Sequence, residues 1–126
     1  MISAIAVIAV GAALGAVLRW VLGIWLNPIW PSLPLGTLTA NLVGGLIIGL
    51  ASELFVHRGP VPQEWRLAVI TGFLGGLTTF STFSYEVSAL IQQGRMIAAG
   101  IEITAHLLGS ILLTLTGIVI VQHFFR

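Results

Sequence analysis

Long apolar runs, separated by short segments that contain proline or glycine, dominate this chain of 126 residues. A helix that crosses a bilayer needs about 20 mostly apolar residues. Four windows meet that requirement, at roughly 2–25, 34–56, 66–92 and 96–124. The pattern therefore predicts an all-α membrane protein with four transmembrane helices, in which residues 1–126 form a single transmembrane domain.

Small or polar residues recur at every fourth position in three of these windows. Residues four apart lie on one face of a helix, with a drift of about 40° per step. The stripes are Gly11, Gly15, Arg19 and Gly23 in the first window, Thr37, Asn41, Gly45 and Gly49 in the second, and Glu102, His106, Ser110 and Thr114 in the fourth. The glycines favour close packing of helices. Lipid cannot satisfy a row of hydrogen-bonding groups, so the stripe of the fourth window must face protein or a wet pathway.

The middle of the third window has an unusual composition for a transmembrane helix. Residues 72–84 read Gly-Phe-Leu-Gly-Gly-Leu-Thr-Thr-Phe-Ser-Thr-Phe-Ser, which combines poor helix formers with five hydroxyl side chains. We therefore expect a broken third helix, and broken backbone at membrane depth is tolerated where it is buried in protein or lines a cavity. The alternative is a glycine hinge whose hydroxyls bond back to i−4 carbonyls.

The break supplies groups that suit ions of either sign. Half-helix ends present amide donors to anions and freed carbonyls to cations. Phe80 and Phe83 flank the hydroxyls of the break, and an aromatic ring has a positive edge that can face an anion. The side-chain amide of Asn41 and the hydroxyls of Ser110 and Thr114 are further candidate donors.

Charge is scarce and nearly balanced. Apolar residues make up 57% of the chain and charged residues 7%, too few for the surface of a soluble domain. A net charge of +1 provides no field for nucleic acid. If the N-terminus, the second connection and the C-terminus share one side of the membrane, that side holds Arg58, Arg66 and Arg126, and the other side holds Arg19 and Arg95. The positive-inside rule then selects no orientation, which indicates insertion in both orientations or a chance balance.

These residues together resemble the small bacterial fluoride-channel family, Fluc or CrcB. The likeness covers nearly the whole chain. It rests on Gly-Ala-Val-Leu-Arg-Trp ending at Trp20, on the run 36–42, and on the run from Thr71 to Ser84 followed by Glu86. The resemblance implies a passive fluoride-selective channel in the bacterial cytoplasmic (inner) membrane that exports fluoride. It also implies an antiparallel, dual-topology homodimer with two pores and one central, structural sodium ion.

The resemblance also implies a role for particular residues, and it assigns none to Glu102. Phe80 and Phe83 would line the pores, with Asn41 donating to fluoride beside them. Backbone carbonyls of Gly75 and Thr78 from each subunit would hold the sodium ion, and Arg19 would lie near a vestibule. The remaining pore-side candidates are His106, Ser110, Thr114, Thr37, Thr82 and Glu86.

Two other functions are compatible with four helices. A proton-coupled antiporter of the small multidrug resistance type can also insert in both orientations. Such a protein requires an acidic residue in its first helix, where the only charged residue of this chain is Arg19. A non-transporting membrane scaffold would need only the glycine stripes. An enzyme is not expected, because the chain has no Cys, no Asp and no His-x-x-x-His pair.

Overall fold

A computed structural model describes residues 1–125, which are mostly helical outside the connections. The elements are α1 (Ile2–Leu26), a 3₁₀ turn (Asn27–Ile29), α2 (Leu35–His57), α3 (Gln63–Arg66), a π-helical segment (Leu67–Leu74), α4 (Gly75–Leu77), α5 (Phe80–Gln92) and α6 (Met96–Phe124). They make four spans long and apolar enough to cross a membrane: Ile2–Ile29, Leu35–His57, Gln63–Gln92 and Met96–Phe124. The four predicted helices are confirmed, and the chain is a multi-pass membrane protein. Arg126, which entered the arginine count, lies outside the described residues.

The first connection is held by one side chain that caps α2. The amides at the start of a helix have no partner within it. Here the Oδ1 atom of Asn27 accepts hydrogen bonds from the backbone N–H groups of Gly36 at 2.7 Å and Thr37 at 3.2 Å. Pro28 follows directly and directs the chain out of α1. The short loop between the first two spans therefore has a fixed geometry.

The third span changes conformation several times along its length. Its π-helical segment runs from Leu67 to Leu74, and the helical turn that follows ends at Leu77. Thr78 (φ −82°, ψ 154°) and Thr79 (φ −150°, ψ 108°) have extended backbone, and α5 begins at Phe80. Glycine and β-branched threonine are poor helix formers, which makes this change of backbone inexpensive here.

The first span packs against the third through glycine. A Cβ atom built on Gly15 would lie 2.1 Å from the carbonyl oxygen of Phe73, and one on Gly76 would lie 2.4 Å from that of Ala12. Both distances are shorter than any real carbon contact, so the two backbones approach as only glycine permits. The glycine stripe of α1 thus serves close packing, as its spacing predicts.

The stripes of the second and fourth spans face each other. The side chain of Asn41 contacts His106, and a Cβ atom built on Gly49 would lie 2.2 Å from the carbonyl oxygen of Thr114. Because the residue numbers of the contacting pairs rise together, α2 and α6 run in the same direction. The polar row of α6 therefore faces protein rather than lipid over these turns.

Because α2 and α6 pack closely, we expect a larger side chain at Gly49 to lower the stability of the protein. Gly49→Ala should destabilise the protein by about 1–3 kcal/mol, because the added methyl group meets backbone that has no flexible end to yield. The free energy of unfolding in detergent micelles measures this. Gly100→Ala is the matched control, since nothing lies within 4 Å of a Cβ atom at that position of α6. Equal stability of the two variants would contradict the packing account.

Candidate functional site

The side-chain amide of Asn41 pairs with the backbone of Thr79 at the extended segment. Asn41 Oδ1 accepts a hydrogen bond from the Thr79 N–H at 2.7 Å, and Asn41 Nδ2 donates to the Thr79 carbonyl at 3.2 Å. An amide side chain has the same donor and acceptor as a peptide group. Asn41 therefore replaces the hydrogen bonds that Thr79 would make in a continuous helix, in a region where water cannot do so.

The hydroxyl of Thr79 caps the N-terminus of α5. Its Oγ1 atom accepts a hydrogen bond from the backbone N–H of Thr82 at 3.1 Å, as an N-cap residue does. Thr78 behaves differently, because its hydroxyl donates back to the carbonyl of Leu74 at 2.8 Å. One of the two threonines thus follows the back-bonding alternative, while the other caps the helix that follows.

These caps redirect two backbone donors away from their usual acceptors. In a continuous helix the N–H groups of Thr79 and Thr82 would donate to the carbonyls of Gly75 and Thr78. Both donate to side chains instead. The neighbouring carbonyl of Gly76 accepts a hydrogen bond from Nε of Arg19 at 3.0 Å. The carbonyls of Gly75 and Thr78 therefore lose the donors that would occupy them in a regular helix.

A pocket of about 290 Å³ lies beside the extended segment. Six of the predicted site residues line it: Asn41, Thr78, Phe80, Phe83, His106 and Ser110. None of its lining residues within the described part of the chain is acidic. The pocket thus offers amide, hydroxyl and imidazole groups within a mostly apolar wall.

The two phenylalanines of the pocket differ in their surroundings. Their ring centroids are 5.5 Å apart with an interplanar angle of 60°, an edge-to-face contact. Phe83 is 7% exposed and packs against the imidazole of His106, whose centroid is 4.6 Å away, whereas Phe80 is 73% exposed. Phe83 is fixed within the single chain, and Phe80 projects from it.

The remaining predicted residues lie outside this pocket. The hydroxyl of Thr114 donates to the backbone carbonyls of Gly45 at 2.8 Å and Ser110 at 2.9 Å. Arg19, Thr37 and Thr82 line a second pocket of about 310 Å³.

The last predicted pore residue, Glu86, belongs to a third pocket. Its Oε2 atom accepts a hydrogen bond from the hydroxyl of Thr37 at 2.7 Å, and the side chain lines a pocket of about 170 Å³ together with Glu102. Apart from Gly75 and Thr114, which line none of these pockets, the predicted residues therefore divide among three pockets of the single chain.

Two residues of the site were not identified from the sequence. Thr79 joins the other groups through both its backbone and its hydroxyl, and Asn27 orders the start of α2 next to Thr37. Asn27 had a usable signal, because Asn is a preferred capping residue. The role of Thr79 depends on a contact with Asn41, 38 residues away, which local pattern does not encode.

Removal of the Asn41 amide should show how far the extended backbone of Thr79 depends on it. We expect Asn41→Leu to lower the free energy of unfolding by about 1–3 kcal/mol, because it removes the partner of both the N–H and the carbonyl of Thr79. Hydrogen exchange of the Thr79 amide should accelerate in the same variant. Thr104→Val is the control, since the Thr104 hydroxyl bonds only within its own helix, to the carbonyl of Gly100. Unchanged exchange at Thr79 in Asn41→Leu would contradict the pairing.

Comparison with known proteins agrees with this geometry. Residues 6–118 match the family model described as "CrcB-like protein, Camphor Resistance (CrcB)". A protein of Tolumonas auensis is 54% identical over 117 residues, which cover 93% of this chain and 92% of that protein. One of Ralstonia pickettii is 57% identical over 117 residues, 93% of each chain. One of Chromobacterium violaceum is 56% identical over 118 residues, 94% of each chain.

Each of these three relatives is named "Fluoride-specific ion channel FluC". The names describe an ion channel rather than an enzyme, in agreement with the sequence-based expectation. The match covers all four spans apart from the outer ends of the first and last. The chain belongs to the CrcB-like family.

Proposed function

We propose that this chain forms a passive, fluoride-selective ion channel that exports fluoride from the cytoplasm across the bacterial cytoplasmic (inner) membrane. The observation that carries the proposal is the pocket beside Thr78 and Thr79, which brings Asn41, Phe80, Phe83 and His106 together at the middle of a membrane span. The names of the relatives support the choice of ion. In this proposal the third helix is broken in order to border the ion's path.

The donors of the pocket suit a small, strongly hydrated anion. Such an ion gives up water only where closely placed donors replace it, and it leaves only if no full charge holds it. The pocket supplies the Asn41 amide, the Ser110 hydroxyl and two phenyl rings without an arginine or an acid among its lining residues. Moderate donors of this kind favour conduction over tight binding.

One donor of Asn41 is well placed to be shared between protein and ion. Its Nδ2 atom lies 3.0 Å from Nδ1 of His106, and both side chains line the pocket. In the proposed cycle fluoride replaces the imidazole as acceptor for this N–H while the other N–H stays on Thr79. Release then restores the protein hydrogen bond, so the empty site carries no unpaired donor.

The proposed assembly is an antiparallel, dual-topology homodimer with two pores. Phe80 is largely exposed in the single chain although it lines the pocket, which leaves that wall to be completed by another surface. The balance of arginines favours insertion in both orientations. An antiparallel pair reproduces the inverted-repeat arrangement that many transporters encode in one chain.

A sodium ion between the subunits fits the carbonyl pattern at the third span. Hard cations take oxygen ligands, and the carbonyls of Gly75 and Thr78 are the two whose helical donors are redirected to side chains. Gly75 is exposed in the single chain, as a ligand of an ion shared with a partner subunit would need to be. When bound, the ion would hold the two interrupted spans together and offset the cost of bringing an anion near.

Fluoride efflux from vesicles that contain the purified protein tests the proposed function. Wild type should release fluoride rapidly and chloride slowly, with no requirement for a pH gradient. Phe80→Ile and Phe83→Ile should each slow fluoride efflux by at least about tenfold, the effect of losing about 1.4 kcal/mol of ion contact. Phe124→Ile, at an exposed position near the end of α6, is the control and should leave efflux unchanged.

The other outcomes of this assay would each indicate a different function for the chain. Comparable chloride release would contradict selectivity for fluoride. Strict dependence on an imposed pH gradient would indicate the proton-coupled antiporter. No ion flux from correctly folded protein would leave the non-transporting scaffold.

Removal of sodium tests the proposed cation site separately. Protein purified and assayed with N-methylglucamine in place of sodium should lose most of its fluoride efflux, because the carbonyl dipoles of Gly75 and Thr78 would then face each other without a cation. Re-addition of sodium should restore efflux. Potassium at equal ionic strength controls for general salt effects. Full activity without sodium would rule out a structural role for the ion.

A further inference from the structure

Four buried polar atoms without hydrogen-bond partners converge between α5 and α6. They are Oε1 of Glu86, both carboxylate oxygens of Glu102 and Nε2 of His106. Ligand atoms of the three side chains lie within 4.8 Å of one another. Glu102 is 0% exposed and His106 is 3% exposed. Buried polar groups nearly always have partners, so these atoms need each other or a shared ligand.

The tautomer of His106 follows from contacts on its other side. The Thr79 N–H fixes Asn41 with Oδ1 toward the backbone, which leaves Nδ2 as the atom that faces His106. Because Nδ2 can only donate, this contact is a hydrogen bond only when Nδ1 of His106 accepts and carries no proton. The contact therefore favours the tautomer with the ring proton on Nε2, which in turn needs an acceptor for that proton. An imidazolium would place two donors against each other at Nδ1 and is disfavoured for the same reason.

The Nε2 atom of His106 lies near the carboxylate of Glu102. Glu102 lies one turn before His106 on α6, and its Oε1 atom is 3.7 Å from Nε2. This is longer than a hydrogen bond, but a small side-chain rotation or one bridging water closes the gap. A carboxylate oxygen of Glu86 lies within 4.8 Å of the same atoms and is the competing acceptor. Glu86 already accepts a hydrogen bond from Thr37 through its Oε2 atom, whereas neither oxygen of Glu102 has a partner. We therefore take Glu102 as the acceptor for this proton.

We propose that Glu102 is a positioning residue of the conduction pathway, which rests on the proposed function: it accepts the Nε2–H of His106 and so keeps Nδ1 free to accept from Asn41. The chain of contacts runs from the Thr79 backbone through Asn41 and His106 to Glu102. Glu102 itself lies outside the pocket that holds the phenyl rings. It acts on the pathway through the imidazole.

The same three side chains have the spacing of a metal site, but the tautomer argues against one. A metal ion at Glu86, Glu102 and His106 would need an unprotonated Nε2, and the proton would then move to Nδ1. There it would face the Nδ2 donor of Asn41 at 3.0 Å. Asn41 cannot turn over to accept it without abandoning the Thr79 N–H. The network therefore favours the carboxylate as acceptor.

Nitrogen-15 NMR of the imidazole tests the tautomer directly. The chain has three histidines, so His57→Gln with His123→Gln leaves His106 as the single signal in full-length protein. We expect the neutral form with the proton on Nε2. A proton on Nδ1, or an imidazolium, would overturn the proposal before any variant of Glu102 is made. This readout requires no fluoride conduction, so it stands or fails apart from the proposed function.

Two substitutions at Glu102 then separate positioning from packing. Glu102→Gln keeps an oxygen that accepts the Nε2–H, and we expect the wild-type tautomer with fluoride efflux within about twofold of wild type. Glu102→Met keeps the length without an acceptor, so we expect mixed tautomers and efflux at least about tenfold slower. If Glu102→Met keeps both the tautomer and the efflux of wild type, Glu102 does not position His106.

A matched control exists in the same chain. Glu53 and His57 form a second pair four residues apart, with Oε1 and Nε2 separated by 3.2 Å, near the exposed end of α2. Glu53→Gln and Glu53→Met should leave efflux unchanged. If Glu102→Met does not fold, the tautomer in wild type and in Glu102→Gln still decides the matter, because a Nδ1–H form in either would contradict the proposal.

Discussion

The structure depends on one side-chain amide that takes the place of a peptide group. Asn41 on α2 both accepts from and donates to the backbone of Thr79. In a bilayer an unpaired backbone group costs several kcal/mol, so extended residues at membrane depth need a partner of this kind. The amide supplies it without adding charge. Because the partner comes from another span, the conformation of the third span and the placement of α2 are determined together.

Glycine packing makes that interaction possible. The first span lies against the third at Gly15 and Gly76, and α2 lies against α6 at Gly49. These contacts bring backbones close enough for short polar side chains to reach across. Asn41 reaches Thr79 on one side and His106 on the other. The small residues thus set the spacing, and the few polar residues use it.

Much of this arrangement follows from sequence because it repeats along helices. The four spans follow from apolar runs, and the facing stripes of α2 and α6 follow from residues spaced by four. The hydroxyl-rich run 72–84 contains the two extended residues of the third span, Thr78 and Thr79. What sequence could not predict is partner choice between helices. Nothing local indicates that Asn41 pairs with Thr79, that Thr114 bonds to the Gly45 carbonyl, or that Glu86 turns toward Thr37.

The separation of the predicted pore residues has the same origin. Glu86 and His106 belong to one polar group by distance, yet they line different pockets. Helix rotation and rotamers decide this, and neither is fixed by a repeat of four. Glu102 illustrates the point most clearly, because its position in the stripe indicates a polar neighbour and only the three-dimensional contacts identify His106 as that neighbour.

In the proposed channel the extended segment at Thr78 and Thr79 borders the path of fluoride. Solid-state NMR can detect this proximity through fluorine–carbon dipolar dephasing between fluoride and ¹³C-labelled phenylalanine rings in bilayers. We expect a dephased population of fluoride in wild type that disappears in the double variant Phe80→Ile, Phe83→Ile. Fluoride that is never dephased by the rings, or dephasing that persists in the double variant, would contradict it.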